Sequence, residues 1–386
     1  MTAELKKLWH PIHFIIVLIV MAGTVWSLYG TMYAGAPFLR EGMIAAWADV
    51  LEQEDPREYV MDQCEAIDSI LMELQSDYMQ SDSDAEKESA LSSIHEMERM
   101  EGHYSNSLPR DFMVLSRIEK RVDHIASLKD VWKNEQAVLK RAIKRKGTQD
   151  ESTKAMQALS ERYTALSVPE YANIDPCESL IRWNTSYAYI ILVPVMWIVA
   201  QSFSIEKKTG MKDLICSIAK SPKRVIAGKV CSVLISACCV VLLQFLVGLG
   251  VAVYMAGGMD GLKCSVQAIY GLEKCCWSIP IALLLFFQLI MQSVLAVFVA
   301  AFTMMVTSYL QDEWAALPII LTILIGPNVL YMLFPEASGL DIASIAGVMK
   351  PAANNSMVPV IYAIGALLLS VCLIAHARSR FMGRAK

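Results

Sequence analysis

Six stretches of this chain are apolar for about 20 residues or more, the length an α-helix needs to cross the hydrocarbon core of a bilayer. They are 12–33, 184–203, 226–256, 278–309, 314–334 and 357–377, and each is predicted to be a membrane span. The third and fourth exceed the requirement, so tilt, kinks or extension beyond the lipid are expected. Pro194, Pro280, Pro318 and Pro327 stand where they kink or begin their spans. The first run also has the features of a cleavable signal peptide, with Lys6 and Lys7 before it and Ala34-Gly35-Ala36 after it. Its length, beyond the roughly 7–15 residues of an ordinary apolar leader core, and Pro37 directly after the cut favour a retained helix.

Between the first two runs the period changes. In the insert 34–182, Leu115, Ile118, Val122, Ile125, Trp132, Leu139 and Ile143 recur mostly at three- and four-residue steps, as along a coiled-coil seam. Asp55-Pro56 combines a capping residue with proline at the first helical position, a helix-start signal. Breaks fall at Ser81-Asp82-Ser83, around Pro109 and at Gly147-Thr148, which predicts an antiparallel helical hairpin or small bundle. The expected class is an all-α membrane protein of six transmembrane helices plus a helical extracellular domain. Composition agrees: 55% of residues are hydrophobic, mean hydropathy is +0.41, and 19% are charged against the roughly 25% usual in soluble domains.

Charge gives the orientation. Residues 204–229 join two apolar runs and contain seven Lys or Arg against Glu206 and Asp213. The tail after the last run adds Arg378, Arg380, Arg384 and Lys386. Basic links of this kind stay on the cytoplasmic side. The loops 257–277 and 335–356 have only Lys263, Lys274 and Lys350, each matched by an acid, and are expected outside. Six spans then put both termini in the cytoplasm and the insert outside. The insert holds 18 Lys/Arg and 29 Asp/Glu, whereas the whole chain has a net charge of −4, so the acidity is external. An acidic face of that kind either recruits a cationic peptide or is simply solvated.

Catalytic chemistry is sparse. There is no GxxxxGK[ST] phosphate loop: Gly228-Lys229 is followed by Val230 and lacks the upstream glycine, so ATP has to be handled by another chain. None of the six histidines forms a metal-binding HExxH or a nucleophile triad. No Asp, Glu, Lys or Arg sits at mid-membrane depth, which disfavours an ion-coupled pump. Among polar residues in the spans, Gln288 and Gln292 are four apart and share a helix face. With Ser293 they either line a translocation path or bind a neighbouring helix. Cys64 and Cys177 lie near opposite ends of the insert, and the reading leaves open a disulfide between them or two separate thiols. Cys264, Cys275 and Cys276 lack the histidine or CxxC spacing of a metal site.

In the link, Leu214, Ile215, Ile218 and Ala219 form an apolar stripe at helical spacing, ringed by Lys207, Lys208, Lys212, Lys220 and Lys223. Such a stripe can enter a groove on a partner while the basic ring meets the rim or anionic lipid heads. Phe203-Ser204-Ile205-Glu206, Gly210, Leu214, Ser221-Pro222, Arg224 and Gly228-Lys229 together resemble the pattern of ATP-binding-cassette (ABC) type-2 permeases. There a span ends in an acid, continues through a short coupling helix, turns, and re-enters the membrane after Gly-Lys. One subfamily, with type V exporter-like architecture, has a single N-terminal span, a large extracellular insert and then five spans. In it the segment before the last span forms re-entrant helices, a description that 335–356 fits; an ordinary surface loop is the alternative.

The resemblance implies segments of 1–33 (N-terminal segment and first span), 34–182 (outer domain), 183–203 (second span), 204–225 (coupling helix) and 226–386 (the remaining four spans). It assigns contact with the ATPase to Glu206, Gly210, Leu214, Ile215, Ile218, Lys223 and Arg224. Glu206 would make a hydrogen bond or ion pair fixing the link to the partner, or else be a solvated acid. The expected function is the permease subunit of an exporter in the bacterial plasma membrane, moving a peptide, antibiotic, lipid or similar substrate outward. The chain itself would bind no cofactor; ATP and Mg would act through separate cytoplasmic ABC ATPase subunits. Other expected partners are a second or homologous permease and membrane lipids, and no nucleic acid. The alternative is a membrane-anchored sensor or scaffold with a ligand-binding helical outer domain, although the chain has no cytoplasmic output module longer than the basic link.

Overall fold

Apolar runs and three- and four-residue spacings both emerge as helices in the computed structural model, which describes residues 11–32, 39–80, 108–146, 151–209, 222–310, 314–322 and 358–383. The helices are α1 (Pro11–Thr31), α2 (Arg40–Leu51), α3 (Pro56–Gln80), α4 (Leu108–Lys146), α5 (Glu151–Thr164), α6 (Asp175–Ser186), α7 (Ala188–Lys208), α8 (Pro222–Ala256), the single turn α9 (Asp260–Lys263), α10 (Ile281–Tyr309) and α11 (Val358–Gly383). Residues 314–322 are also helical. Among the described residues there is no strand, only an isolated bridge between Ser265 and Pro280.

Four helices are long and apolar enough to cross a membrane: Pro11–Thr31, Lys223–Ala256, Ile281–Tyr309 and Val360–Arg380. A fifth span arises if Asp175–Ser186 and Ile190–Glu206, bent by 47° at the break between them, count as one. This is the pattern of an all-helical, multi-pass membrane protein. The expected span 314–334 is helical over 314–322, and its remainder lies outside the described residues, as does 335–356. The bend falls at the junction of α6 and α7, not at Pro194, which sits inside α7.

The chain divides into two units. The first comprises Met1–Gly30, Glu178–Ala252 and Ala282–Lys386 and contains most of the span helices. On α1, His13, Val17, Met21, Thr24 and Leu28 are buried at three- and four-residue steps, while Ile15, Ile19 and Trp26 are exposed. That is one packed face and one face suited to lipid. Helices approach closely where side chains are smallest. A Cβ on Gly248 of α8 would lie 2.9 Å from Leu180 Cδ1 of α6 and 3.8 Å from Leu28 Cδ2 of α1.

The second unit comprises Thr31–Cys177 and Val253–Ile281. Beyond the expected domain 34–182 it takes in Val253–Ile281, most of which is the loop 257–277 expected outside. Its axis is α4, against which α2, α3 and α5 pack. Val114, Ile118, Val122, Ile125, Leu128 and Trp132 point into the core, so the seam legible in the sequence is the buried one; Leu115, Leu139 and Ile143 are half-buried at its margins. Asp55 caps α3 as expected: its Oδ1 accepts from the backbone N–H of Arg57 (3.0 Å) and of Glu58 (3.1 Å).

Residues 264–281 form a strap laid along α4. Its ends are closed by backbone bonds from Val266 to Ile279 (3.0 Å) and from Ile281 to Cys264 (2.8 Å). Carbonyls of the strap accept side-chain donors from the helices: Glu273 from Trp132 Nε1 (2.8 Å), Ala268 from Arg121 (2.8 Å) and Lys274 from Tyr163. In return Tyr270 donates to the carbonyl of Lys120 (3.0 Å). The Arg121 guanidinium lies 4.2 Å over the Tyr270 ring and pairs with Asp175, with Nε 2.9 Å from Oδ1. Arg121 is 3% exposed, so its charge is compensated by a carboxylate, a carbonyl and a ring face together.

Of the two readings left open for Cys64 and Cys177, the structure has two separate thiols. Cys64 is half-buried on α3, whereas Cys177 is buried in the first turn of α6.

Candidate functional site

The strongest constellation of charge in the first unit lies where the basic link leaves and rejoins the spans. Glu206 is in the last turns of α7 and Lys229 in the second turn of α8. Lys229 Nζ lies 2.7 Å from Glu206 Oε2 and 2.5 Å from the carbonyl oxygen of Ser202, one turn earlier on α7. It also sits 4.6 Å from the centre of the Phe203 ring. An ammonium has three donors and no acceptor, and here they meet a carboxylate, a carbonyl and an aromatic face. The two side chains are 5% and 13% exposed, so the pair is shielded from solvent. A cation close to the C-terminal end of α7 also suits that helix's dipole.

Its carboxylate is bound within the chain, so Glu206 is not the solvated acid of the alternative reading. Lys229, noticed in the sequence only as part of Gly228-Lys229, is the residue that the sequence reading missed. Its signal was the spacing: one acid at the end of an apolar run and one lysine inside the start of the next. Lys223 and Arg224 are exposed in the first turn of α8, which begins at Pro222 as its preference for an early helical position favours. Gly210, Leu214, Ile215 and Ile218 lie outside the described residues.

A second polar cluster lies at the break between α6 and α7. Interrupting a helix leaves backbone carbonyls without intrahelical partners, a severe penalty where water is absent. Gln292 of α10 supplies a donor to one of them, and Gln288 binds the turn before the break. Gln288 Nε2 donates to the carbonyl of Ile181 (3.2 Å) and to Thr185 Oγ1 (3.3 Å), and its Oε1 accepts from Asn184 Nδ2 (3.4 Å). Gln292 Nε2 donates to the carbonyl of Asn184 (3.4 Å), while its Oε1 is buried without a hydrogen-bond partner. The two glutamines are 0% and 3% exposed. Ser293 does not join them; its hydroxyl donates to the Leu289 carbonyl of its own helix (2.8 Å). Asn184 and Thr185 were not singled out in the sequence, because the partners of Gln288 become visible only once the chain is known to break there.

Further polar contacts cross between spans of the same unit. His13 Nε2 donates to Gln201 Oε1 (2.6 Å), Gln244 pairs with Thr24, and Trp183 Nε1 donates to Ser27 Oγ (3.1 Å). Gln201, Gln244, Gln288 and Gln292 therefore each engage a second helix. Among the described residues no group of three or more His, Cys, Asp or Glu is placed to hold a metal ion. Comparison of the chain with family models, curated proteins and solved structures gives no match.

Proposed function

We propose that this chain is the membrane-spanning permease subunit of an ATP-driven exporter, with ATP hydrolysis supplied by a separate cytoplasmic ATPase. In this reading it has six spans, both termini in the cytoplasm, the second unit outside, and works as a dimer with a second copy or a homologous permease in a bacterial plasma membrane. The reading rests on the likeness of residues 203–229 to ABC type-2 permeases and on the absence of a phosphate-binding loop from the sequence.

The observation that carries it is the Glu206–Lys229 pair. The pair ties the end of α7 to the start of α8, on either side of the link. Force applied at the link by a nucleotide-driven partner is then delivered to α7 and α8 together. From α7 the displacement reaches the break at α6, where the amides of Gln288 and Gln292 hold α10. Hydrogen bonds between polar side chains and broken-helix carbonyls can exchange partners, which suits a joint between moving spans. The acidity of the insert favours a cationic peptide as substrate.

The test is purification of the chain from its own membranes with ATP hydrolysis measured on the product. An ATPase should accompany it and be lost in the variant Leu214→Asp/Ile218→Asp, which puts charge into the apolar stripe. No hydrolysis in the wild-type preparation, or equal hydrolysis in the variant, overturns the reading.

A further inference from the structure

The apolar spans Ile281–Tyr309 and Val360–Arg380 end together, with the last residue of each in contact. Tyr309, at the end of α10, meets two residues one turn apart on α11. His376 Nε2 lies 2.7 Å from the Tyr309 hydroxyl, and the two rings stack with centroids 5.9 Å apart. The Arg380 guanidinium lies 3.7 Å over the same Tyr309 ring. Tyr309 and His376 are exposed and Arg380 is half-buried, so the cluster opens outward at the edge of the two spans. A guanidinium laid on a ring keeps its N–H donors in the plane beside it. Of these, Arg380 Nε is buried with no hydrogen-bond partner, a costly state for a charged donor. Where the phenol donates to Nε2, the neutral imidazole carries its own N–H at Nδ1. Attraction of cations to a helix C-terminus accounts for positive charge here. It does not account for a stacked guanidinium with an unfilled donor. Helices α10 and α11 contain no Asp or Glu that could fill it.

We propose that Tyr309, His376 and Arg380 bind the phosphate of an anionic phospholipid headgroup at the membrane edge. Phosphate oxygens match the fork of an Arg side chain, which can donate through Nε and a terminal nitrogen together. The Tyr309 ring sets the plane of that fork, and His376 Nδ1 supplies a further donor. Ile361, Leu368 and Leu369, exposed earlier on α11, offer the apolar surface that the acyl chains need. Free phosphate would fill the same donors but gain nothing from that surface. Arg378 Nε is also buried and unpartnered. Residues two apart do not share a helix face, so Arg378 stands off the side that meets Tyr309. Asp312 and Glu313, the acids that follow α10 in sequence, lie outside the described residues. The site requires only that α10 and α11 cross a membrane, so it stands apart from the exporter reading.

The test is native mass spectrometry of the purified chain, supplied in detergent with equal amounts of dioleoylphosphatidylglycerol and dioleoylphosphatidylcholine. The wild type should retain the anionic lipid in preference. Arg380→Gln should lower that retention by more than about fivefold, beyond the effect of one charge near an anionic surface. Arg378→Gln removes the same charge and should leave most of it. Tyr309→Leu, which takes away the ring but no charge, should lower it as well. Equal losses in Arg380→Gln and Arg378→Gln would mean diffuse attraction and overturn the proposal, as would unchanged retention in Arg380→Gln. Increased retention in Asp312→Asn/Glu313→Gln would give Arg380 an acidic partner within the chain and also overturn it. Displacement of the lipid by excess inorganic phosphate would reduce the cluster to a simple anion site and refute the lipid. Should a variant fail to fold, a phosphatidylglycerol with a photoreactive group near the phosphate decides the matter in the wild-type chain. Cross-links at 309 or 376–383 support the site, and cross-links confined elsewhere refute it. No ATPase enters any of these readouts, so failure here leaves the exporter proposal untouched, and the reverse holds too.

Discussion

Lys229 Nζ stands 2.7 Å from Glu206 Oε2, so the residue that closes one membrane helix is bound to a residue that opens the next. Removing one partner of a shielded pair leaves the other charge without compensation, whereas removing both does not. Lys229→Met should therefore destabilise the protein by about 3 kcal/mol, and Glu206→Gln/Lys229→Met should be less harmful than Lys229→Met alone. Thermal unfolding in detergent checks this through a double-mutant cycle, in which additive effects would show that the pair is not coupled.

At the helix break the two glutamines should behave differently. Gln288→Leu strands the Asn184 amide in an apolar setting and should cost about 1–3 kcal/mol. Gln292→Leu loses one long bond but also removes a buried oxygen that has no partner, and should be nearly neutral. Ser293→Ala should be neutral as well, since that hydroxyl serves only its own helix. Relative unfolding temperatures give the order directly.

In the second unit Arg121→Met should be the most damaging single polar substitution. It removes the partner of Asp175, the donor to the Ala268 carbonyl and the cation over Tyr270. A loss of about 3–5 kcal/mol is expected. Limited proteolysis should then cut within 264–281 faster than in the wild type. Unchanged protection of that strap would show that its other anchors suffice.

Cys275 offers a test by pH. Burial, the largest influence, raises its thiol to about 11, with a smaller contribution from Cys276. A raised folded-state value for an acid means that folding favours the neutral form. The associated stability is complete below the unfolded value of 9.0 and is lost as pH rises from there through about 11. Denaturation of wild type and Cys275→Ala across that window should show a steeper decline for the wild type. Parallel curves would mean that the thiol is not shielded.

Much of this architecture was legible because it depends on local pattern. The apolar runs, the Asp55-Pro56 cap and the seam from Ile118 to Trp132 are all expressed within a few turns of helix. The rest depends on residues far apart in sequence. Nothing near Glu206 says that its partner is Lys229, and nothing near Arg121 says that Asp175, Ala268 and Tyr270 gather around it. The strap looked like an ordinary loop, since its attachment uses backbone carbonyls, which leave no trace in side-chain composition. Gln288 and Gln292 could be placed on one face, but their task became clear only with the break after α6, which no proline marks.

The central claim is that energy from a separate ATPase enters through the link and is delivered by the Glu206–Lys229 pair. Its most direct test is ATP hydrolysis and substrate efflux measured together, in the chain purified with its companion ATPase and reconstituted in vesicles. Lys229→Met should leave the ATPase bound and hydrolysing while efflux falls at least tenfold, and Glu206→Lys/Lys229→Glu should recover part of the loss. Efflux that stays in step with hydrolysis in Lys229→Met would contradict the account, as would a purified wild-type chain that carries no ATPase at all.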